Sequence, residues 1–142
     1  MKDFKKIFID TTPLIYFLDN NPDFGAKARQ IIEFLLQEDK IIVSSVITCA
    51  EYLVVPYRRN ELELVDSFWR FMTDSKMVLY PIKRLEAIRA AKIRSEYKYF
   101  KTMDSLQLAV AVLHDCDLFL TNDKQLKQFK EMNCVTVEEW NF

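Results

Sequence analysis

The sequence predicts an α/β fold in which a parallel five-stranded sheet carries helices on both faces. Five short apolar runs rich in Ile, Val, Leu and Phe show little alternation, which is typical of strands buried on both sides. Segments with apolar residues at helical spacing separate these runs, and such alternation favours parallel strands. One glycine and four prolines in 142 residues indicate short connections, so we expect a single domain over residues 1–142.

The first elements follow from local signals. Strands are predicted where the apolar runs stand, at residues 7–10, 41–45, 77–81, 118–121 and 134–137. The first helix, residues 13–19, follows Thr12, a preferred N-cap residue, and would carry Pro13 at its first position. Residues 26–38 repeat apolar side chains at helical spacing, which predicts the second helix.

The third helix, residues 46–55, is apolar almost all round. A helix of this kind is expected to be buried, and Pro56 would end or bend it. The remaining helices are predicted over residues 61–73, 85–97, 105–114 and 124–129.

Composition excludes several classes of function. No apolar stretch reaches the roughly 18 residues that a membrane helix needs. Cys49, Cys116 and Cys134 form no CxxC pair, and the N-terminal segment lacks signal-peptide features, so we expect a cytoplasmic protein with reduced thiols. His114 is the only histidine, which excludes a zinc site with several histidines. The net charge of −1 does not by itself require a nucleic-acid partner, although local charge can differ from it.

Two aspartates follow predicted strands at the same edge of the sheet. Asp10 ends the first strand, and Asp123 follows the fourth strand in the segment LFLTNDKQL. Ligand sites of open α/β sheets form beyond the carboxyl ends of the strands, so both side chains are expected to face such a site. Each also has an ordinary interpretation, because aspartate caps helices and Asn-Asp is common in turns.

Two further acids are placed in the first turns of helices that begin at that edge. Glu51, in TCAEYLVV, has apolar neighbours, and a buried charge costs several kcal/mol unless it is paired or binds a metal. A buried salt bridge or a solvent-facing position is the alternative. Asp104, in KTMDSLQLAVAVLH, follows Thr102, which can cap the helix, and the helix dipole by itself favours an acid there.

Together, the four acids indicate a cation site. Carboxylates gathered at one edge repel each other unless something neutralises their charge. Mg²⁺ and Mn²⁺ prefer oxygen ligands, and two such ions about 4 Å apart would activate water and stabilise the leaving oxygen of a phosphodiester. Asp115 and Asp117, in HDCD, could replace Asp123, but we interpret them as capping or solvated loop residues.

The segments FIDTTPLIYFLD, SSVITCAEYL, TMDSLQLAVAV and FLTNDKQL resemble the four signature blocks of PIN-domain ribonucleases. The likeness is greatest to the single-domain VapC-type toxins of toxin–antitoxin pairs, and it runs from about residue 7 to residue 137. It implies a sheet of order 3-2-1-4-5 and Mg²⁺- or Mn²⁺-dependent cleavage of RNA, which leaves 5′-phosphate and 3′-hydroxyl ends. It also implies a homodimer and a small antitoxin that fills the active-site groove.

The resemblance maps the acidic quartet of the family onto Asp10, Glu51, Asp104 and Asp123. Asp10 and Asp104 would be direct metal ligands. Glu51 would hold a second metal or orient the attacking water, and Asp123 would complete the shell directly or through water.

Polar and cationic residues near the acids complete the expected site. Thr11 and Thr121 match hydroxyl residues that accompany the acids of the family and would support them. Residues 83–101 hold seven cations and two acids, with aromatic residues interleaved. Arg94, Lys98 and Lys101 are candidate RNA-binding residues, because cations hold phosphates and aromatic rings stack on unpaired bases. A solvated helix face over core aromatics is the alternative.

Three other functions are weaker interpretations. A haloacid dehalogenase-type phosphatase needs a second aspartate two residues after the first, where this chain has Thr12. A flap-type DNA nuclease would need more carboxylates and a longer chain. A catalytically inactive PIN-like RNA-binding or scaffold module usually lacks some of the acids, and all four are present here.

Overall fold

The computed structural model describes residues 3–142, and a parallel sheet lies at its centre. Its strands are β1 (Lys6–Ile9), β2 (Ile41–Ser45), β3 (Val78–Tyr80), β4 (Leu118–Thr121) and β5 (Asn133–Thr136). Their order is β3-β2-β1-β4-β5, and each neighbouring pair is parallel. The predicted fold class and strand order are confirmed; the bounds of β2 and β4 are as predicted, and those of β1, β3 and β5 differ by one residue at each end.

The helices connect the strands in the expected alternation. They are α1 (Thr11–Leu18), α2 (Gly25–Gln37), α3 (Val46–Arg58), α4 (Leu62–Asp74), α5 (Arg84–Glu96) and α6 (Thr102–Leu113). A 3₁₀ helix, Lys124–Gln128, stands where a helix over residues 124–129 was expected. Within residues 3–142, none of these helices has both the length and the apolar character to cross a membrane.

Successive strand residues pack into two separate helical layers. Ile7 and Ile9 of β1 face a core that α1, α2, α3 and α4 cover. Phe8, between them, faces the core under α5 and α6. There its ring stacks on the ring of Phe119 with 5.0 Å between centroids. Because both faces of the sheet are covered, the strands are apolar without alternation.

Helix α1 begins earlier than the sequence predicts. Asp10, with extended backbone, is its N-cap residue, and a carboxylate oxygen of Asp10 accepts a 2.9 Å hydrogen bond from the Thr11 N–H. The expectation that Thr12 caps the helix and that Pro13 opens it is therefore wrong. Pro13 is the third helical residue, where a missing N–H removes no helical hydrogen bond.

Helix α3 is only partly buried, which corrects the expectation of a helix buried almost all round. Val46, Val54 and Val55 are 42–46% exposed. The helix packs on α1, α4 and β2 and leaves its other side uncovered, although that side is apolar. It also continues through Pro56 to Arg58, so the proline does not end it.

The single glycine of the chain allows a close approach of α2 to the end of α1. A Cβ atom at Gly25 would lie 2.8 Å from the backbone carbonyl carbon of Asn20. We expect Gly25→Ala to destabilise the protein by about 1–3 kcal/mol through this overlap. The intrinsic helix preference alone would favour alanine by about 1 kcal/mol.

Urea unfolding measures the difference in the free energy of unfolding between Gly25→Ala and the wild type. Gln30→Ala, at an exposed position of the same helix, is the matched control and should change the free energy of unfolding by less than about 0.5 kcal/mol. A Gly25→Ala variant as stable as the wild type, or more stable, would contradict the close approach.

Candidate active site

A cleft of about 620 Å³ opens at the carboxyl edge of the sheet. Its lining consists of Asp10, Thr12, Glu51, Lys101, Thr102, Met103, Asp104, Thr121, Asn122 and Asp123. All four acids that the sequence singles out line this one cleft, although they come from four separate parts of the chain. Lys101 is the one cation among the lining residues.

Asp10 is the buried member of the group, at 8% exposure. It follows β1, and its two carboxylate oxygens accept hydrogen bonds from the Thr11 N–H and from the Thr121 hydroxyl, each 2.9 Å long. Burial raises the pKa of Asp10 to about 6. The two hydrogen bonds oppose this shift, and the charges of Asp104 and Glu51 add to it.

Asp104 lies in the first turn of α6, as predicted, and is half-buried. Thr102 is the first helical residue and not the cap, because Lys101 occupies the cap position and its side chain makes no capping hydrogen bond. Burial is the main reason that the pKa of Asp104 is raised, and the charge of Asp123 adds to the effect. The ammonium group of Lys101 opposes both.

Glu51 differs from the expectation in two respects. It lies in the second turn of α3, and its side chain is exposed and not enclosed by apolar neighbours. One carboxylate oxygen accepts a 2.6 Å hydrogen bond from the Thr11 hydroxyl. A hydroxyl group, and not a buried salt bridge, therefore holds Glu51 at the cleft.

Asp123 is tied to Asp10 through one threonine. Its Oδ1 accepts a 2.9 Å hydrogen bond from the Gln125 N–H and so caps the 3₁₀ helix. Its own backbone N–H donates to the Thr121 hydroxyl oxygen over 3.1 Å. Since the same hydroxyl donates to Asp10, Thr121 sets the positions of two acids at once.

A buried hydroxyl and amide network beneath the cleft was not predicted. The Thr48 hydroxyl lies 3.2 Å from the Thr11 hydroxyl and 2.7 Å from the Ser44 hydroxyl, and it accepts a 2.9 Å hydrogen bond from Gln107 Nε2. The Ser45 hydroxyl donates to Gln107 Oε1. The network joins β2, α3 and α6 behind Thr11, so it supports the hydroxyl that holds Glu51.

The spacing of polar residues could have revealed this network. Thr48 precedes Glu51 by three residues on α3, and Gln107 follows Asp104 by three residues on α6. Residues three apart share a helix face. A polar residue one turn from each acid, on helices that are otherwise mostly apolar, was therefore a usable signal.

The other two acids considered for the fourth position lie elsewhere. A carboxylate oxygen of Asp117 accepts hydrogen bonds from the Lys5 and Lys6 N–H groups, 2.8 and 2.9 Å long, at the amino edge of the sheet. These bonds hold the pKa of Asp117 below its usual value. Asp115 follows the end of α6 with φ of 56°, and neither acid lines the cleft.

The donor set fits a hard divalent cation in its chemistry. Carboxylate and hydroxyl oxygens surround the cleft, and mutual repulsion contributes to the raised pKa values of Asp10 and Asp104. The side chains are not preassembled, however. Within residues 3–142, no three acidic, cysteine or histidine side chains are already arranged to hold a metal ion.

The cations of residues 83–101 do not form one patch. Helix α5 is about 20 Å long at 1.5 Å per residue, so Arg84 lies far from the turn that follows its other end. Arg89 pairs with Glu131. Of the three candidate RNA-binding residues, only Lys101 lines the cleft. Arg94 lies in the last turn of α5, and Lys98 lies in the turn that precedes Lys101.

The fold and the acidic cleft together define the class of protein. The model of the PIN domain family matches residues 7–132. The chain therefore belongs to the PIN domain family, and the resemblance found in the sequence is confirmed. A search of curated proteins found no significant match.

Solved structures agree with this assignment of the fold. The structure of VapBC2 from Rickettsia felis bound to a promoter DNA fragment matches with a TM-score of 0.75 and 15% identity, over 92% of this chain and 98% of that one. A toxin–antitoxin complex from Klebsiella pneumoniae matches with a TM-score of 0.69 and 24% identity, over 92% of this chain and 97% of that one. FitAcB from Neisseria gonorrhoeae matches with a TM-score of 0.69 and 20% identity, over 94% of this chain and 99% of that one.

The raised pKa of Asp10 predicts how stability depends on pH. Because the folded-state pKa is about 6 and the ordinary value is 3.8, this group contributes stability that is complete below pH 3.8 and is lost as pH rises through 6. In chelator at pH 7.5, we expect Asp10→Asn to be more stable than the wild type by up to about 3 kcal/mol. Asparagine caps a helix as well as aspartate does. The difference should shrink between pH 6 and pH 4.

Asp117→Asn is the matched control, and its expected sign is opposite. The lowered pKa of Asp117 contributes stability above its unfolded value that is lost as pH falls. This variant should therefore be less stable than the wild type at pH 7.5 and should approach it in acid. Urea unfolding at several pH values measures both differences. A pH-independent difference for Asp10→Asn would contradict the burial of its charge.

Removal of the Thr48 hydroxyl tests the buried network. Thr48→Val keeps the shape of the side chain but leaves an amide hydrogen of Gln107 without its acceptor. We expect a loss of about 1–3 kcal/mol in the free energy of unfolding. Thr73→Val, at an exposed position of α4, should cost less than about 0.5 kcal/mol. Equal, small losses in the two variants would show that the network is unimportant for stability.

Proposed function

We propose that the chain is a metal-dependent endoribonuclease that acts as the toxin of a type II toxin–antitoxin pair. The observation that carries this proposal is the convergence of Asp10, Glu51, Asp104 and Asp123 in one cleft. Membership of the PIN domain family supports hydrolysis of RNA phosphodiester bonds. Similar folds in toxin–antitoxin complexes support the biological setting.

The proposed cofactor is Mg²⁺ or Mn²⁺, held by the four acids. Such a cation would supply an activated water and stabilise the charge that develops on the leaving oxygen. Asp10 and Asp104 are the proposed direct ligands, since burial and the charges of neighbouring acids raise the pKa of both, and a cation would relieve this repulsion. Glu51 and Asp123 would hold a second ion, orient water or complete the shell.

The other residues of the cleft have supporting roles in this proposal. The Thr121 hydroxyl and the Thr11 N–H orient the carboxylate of Asp10. The Thr11 hydroxyl holds Glu51. Lys101, at the rim beside Asp104, would contact a phosphate of the RNA and offset the negative charge of the cleft.

Partners and location complete the proposal. A small antitoxin would inhibit the enzyme by occupying the acidic cleft, and two copies of the chain would form a homodimer. The cytoplasm is the proposed compartment, since the RNA substrate and the antitoxin would both be found there. The three cysteines are unpaired in the structure, which suits a reducing compartment.

Cleavage of RNA tests the proposal directly. Purified protein is incubated with mixed RNA in Mg²⁺, in Mn²⁺ and in chelator, beside Asp104→Asn and Asp117→Asn. We expect metal-dependent cleavage by the wild type and by Asp117→Asn, whose substitution lies at the opposite edge of the sheet. Asp104→Asn should lose more than the roughly 10- to 100-fold that changes to the surroundings of metal ligands cost.

Thermal unfolding provides a readout that does not depend on the choice of RNA. Mn²⁺ should raise the melting temperature of the wild type, because a ligand that binds only the folded state stabilises it. The rise should be smaller in Asp104→Asn. Absence of cleavage together with absence of any Mn²⁺ effect would favour the inactive binding or scaffold module.

A further inference from the structure

We propose that the turn at residues 97–100 is a binding site for an unpaired base of the RNA next to the cleft. In this site Tyr99 stacks on the base, and Lys98 and Lys101 contact the flanking phosphates. The inference rests on the proposed action on RNA and adds to it a contact outside the cleft, between Tyr99 and an unpaired base.

The structure divides the three aromatic residues of this segment into two kinds. Tyr97 and Phe100 are structural, since their rings stack with 4.6 Å between centroids. The Tyr97 hydroxyl also accepts a 3.0 Å hydrogen bond from the Lys130 N–H. Tyr99 lies between them in sequence but is 73% exposed. Its ring is therefore available for a ligand, whereas its two neighbours are used by the core.

The turn that carries Tyr99 is held in place. The Phe100 N–H donates a 3.0 Å hydrogen bond to the Tyr97 carbonyl, which closes a β-turn with Lys98 and Tyr99 at its centre. Arg94 Nε donates to the Phe100 carbonyl over 3.2 Å and fixes the turn to the end of α5. Because the backbone of the turn is already ordered, binding by the Tyr99 ring would cost side-chain freedom only, which favours affinity.

The turn stands beside the acidic cleft. Tyr99 precedes Lys101 by two residues, so their Cα atoms are at most about 7 Å apart. Lys101 and Met103 line the cleft, and Met103 is 52% exposed. The turn that carries Tyr99 is therefore next to the rim of the cleft, and in the proposed complex it lies on the path of an RNA strand bound there.

Charge at the turn suits a phosphate backbone. Residues 97–103 contain two lysines and no acid. The Lys98 ammonium lies 5.6 Å from the centroid of the Tyr99 ring, close enough for a cation–π contact. Beside four carboxylates, these lysines supply the attraction that would bring an anionic strand to the cleft.

An exposed tyrosine flanked by lysines discriminates unpaired from paired RNA. The π-face of a base is accessible only when the base has left its helical stack, and stacking tolerates any base identity. The lysines would bind both forms through phosphates, whereas the ring would contribute only with the unpaired form. A loss of affinity on replacing Tyr99 that occurs with unpaired RNA and not with paired RNA would therefore identify base stacking.

Binding in chelator separates recognition from cleavage. Fluorescence anisotropy is measured with a labelled ten-nucleotide unpaired RNA and with a blunt-ended duplex of that RNA and its complement. We expect Tyr99→Ala to bind the unpaired RNA about tenfold more weakly, as loss of one stacked base predicts, and Tyr99→Phe to retain the affinity. The duplex affinity should be the same for all three proteins. Lys98→Ala should lower the slope of log K against log salt by about 0.7.

The matched control is Tyr57→Ala. Tyr57 is 57% exposed and adjoins Arg58 and Arg59, so it resembles Tyr99 in exposure and charge, but no residue within two positions of it lines the cleft. Its replacement should leave the RNA affinity unchanged. Equal affinity of Tyr99→Ala and wild type for unpaired RNA would overturn the proposal. It would favour the turn as a contact for a protein partner instead. An equal loss in Tyr57→Ala would also overturn it.

The outcomes for the nuclease and for this site are distinguishable. Tyr99-dependent binding with no cleavage in any metal would contradict the proposed nuclease activity and support the base-binding site. Cleavage whose KM and kcat are both unaffected by Tyr99→Ala would contradict the base-binding site and support the nuclease activity.

Discussion

The buried carboxylate of Asp10 is the constraint on which the rest of the cleft depends. Its position follows from the pairing of β1 with β4, since the Asp10 N–H continues that ladder with a 2.9 Å hydrogen bond to the Leu120 carbonyl. The next residue of β4, Thr121, then donates its hydroxyl to the carboxylate. The strand order thus places an acid at the centre of the carboxyl edge, where desolvation and neighbouring charges disfavour its ionised form.

Hydroxyl groups, more than ion pairs, arrange the remaining acids around Asp10. Thr11 holds Glu51, Thr121 connects Asp10 with Asp123, and Thr48 supports Thr11 from below. A neutral donor fixes a carboxylate without cancelling its charge, whereas a lysine or arginine at the same distance would neutralise it. Lys101 offsets only part of the negative charge of the four acids, and the proposed cation would neutralise the remainder.

The strand positions could be predicted from local signals, and the gathering of the four acids at one edge could be predicted because their positions agree, although each acid alone is a weak signal. The strands are apolar without alternation, and each acid interrupts or follows an apolar segment at the edge where ligands bind. The environment of Glu51 could not be predicted, because apolar composition does not say which side of α3 other helices cover. The separation of Tyr99 from Tyr97 and Phe100 depends on the Lys130 contact and the turn, which are tertiary features.

Calorimetric titration of Mn²⁺ into the metal-free protein at pH 6 and pH 8 tests the central claim most directly, that the four acids jointly bind a cation. With the pKa of Asp10 at about 6, part of the population carries a proton at pH 6 that a cation must displace. The account predicts saturable binding with proton release at pH 6, far less release at pH 8, and loss of the release in Asp10→Asn. No saturable binding at either pH would contradict it.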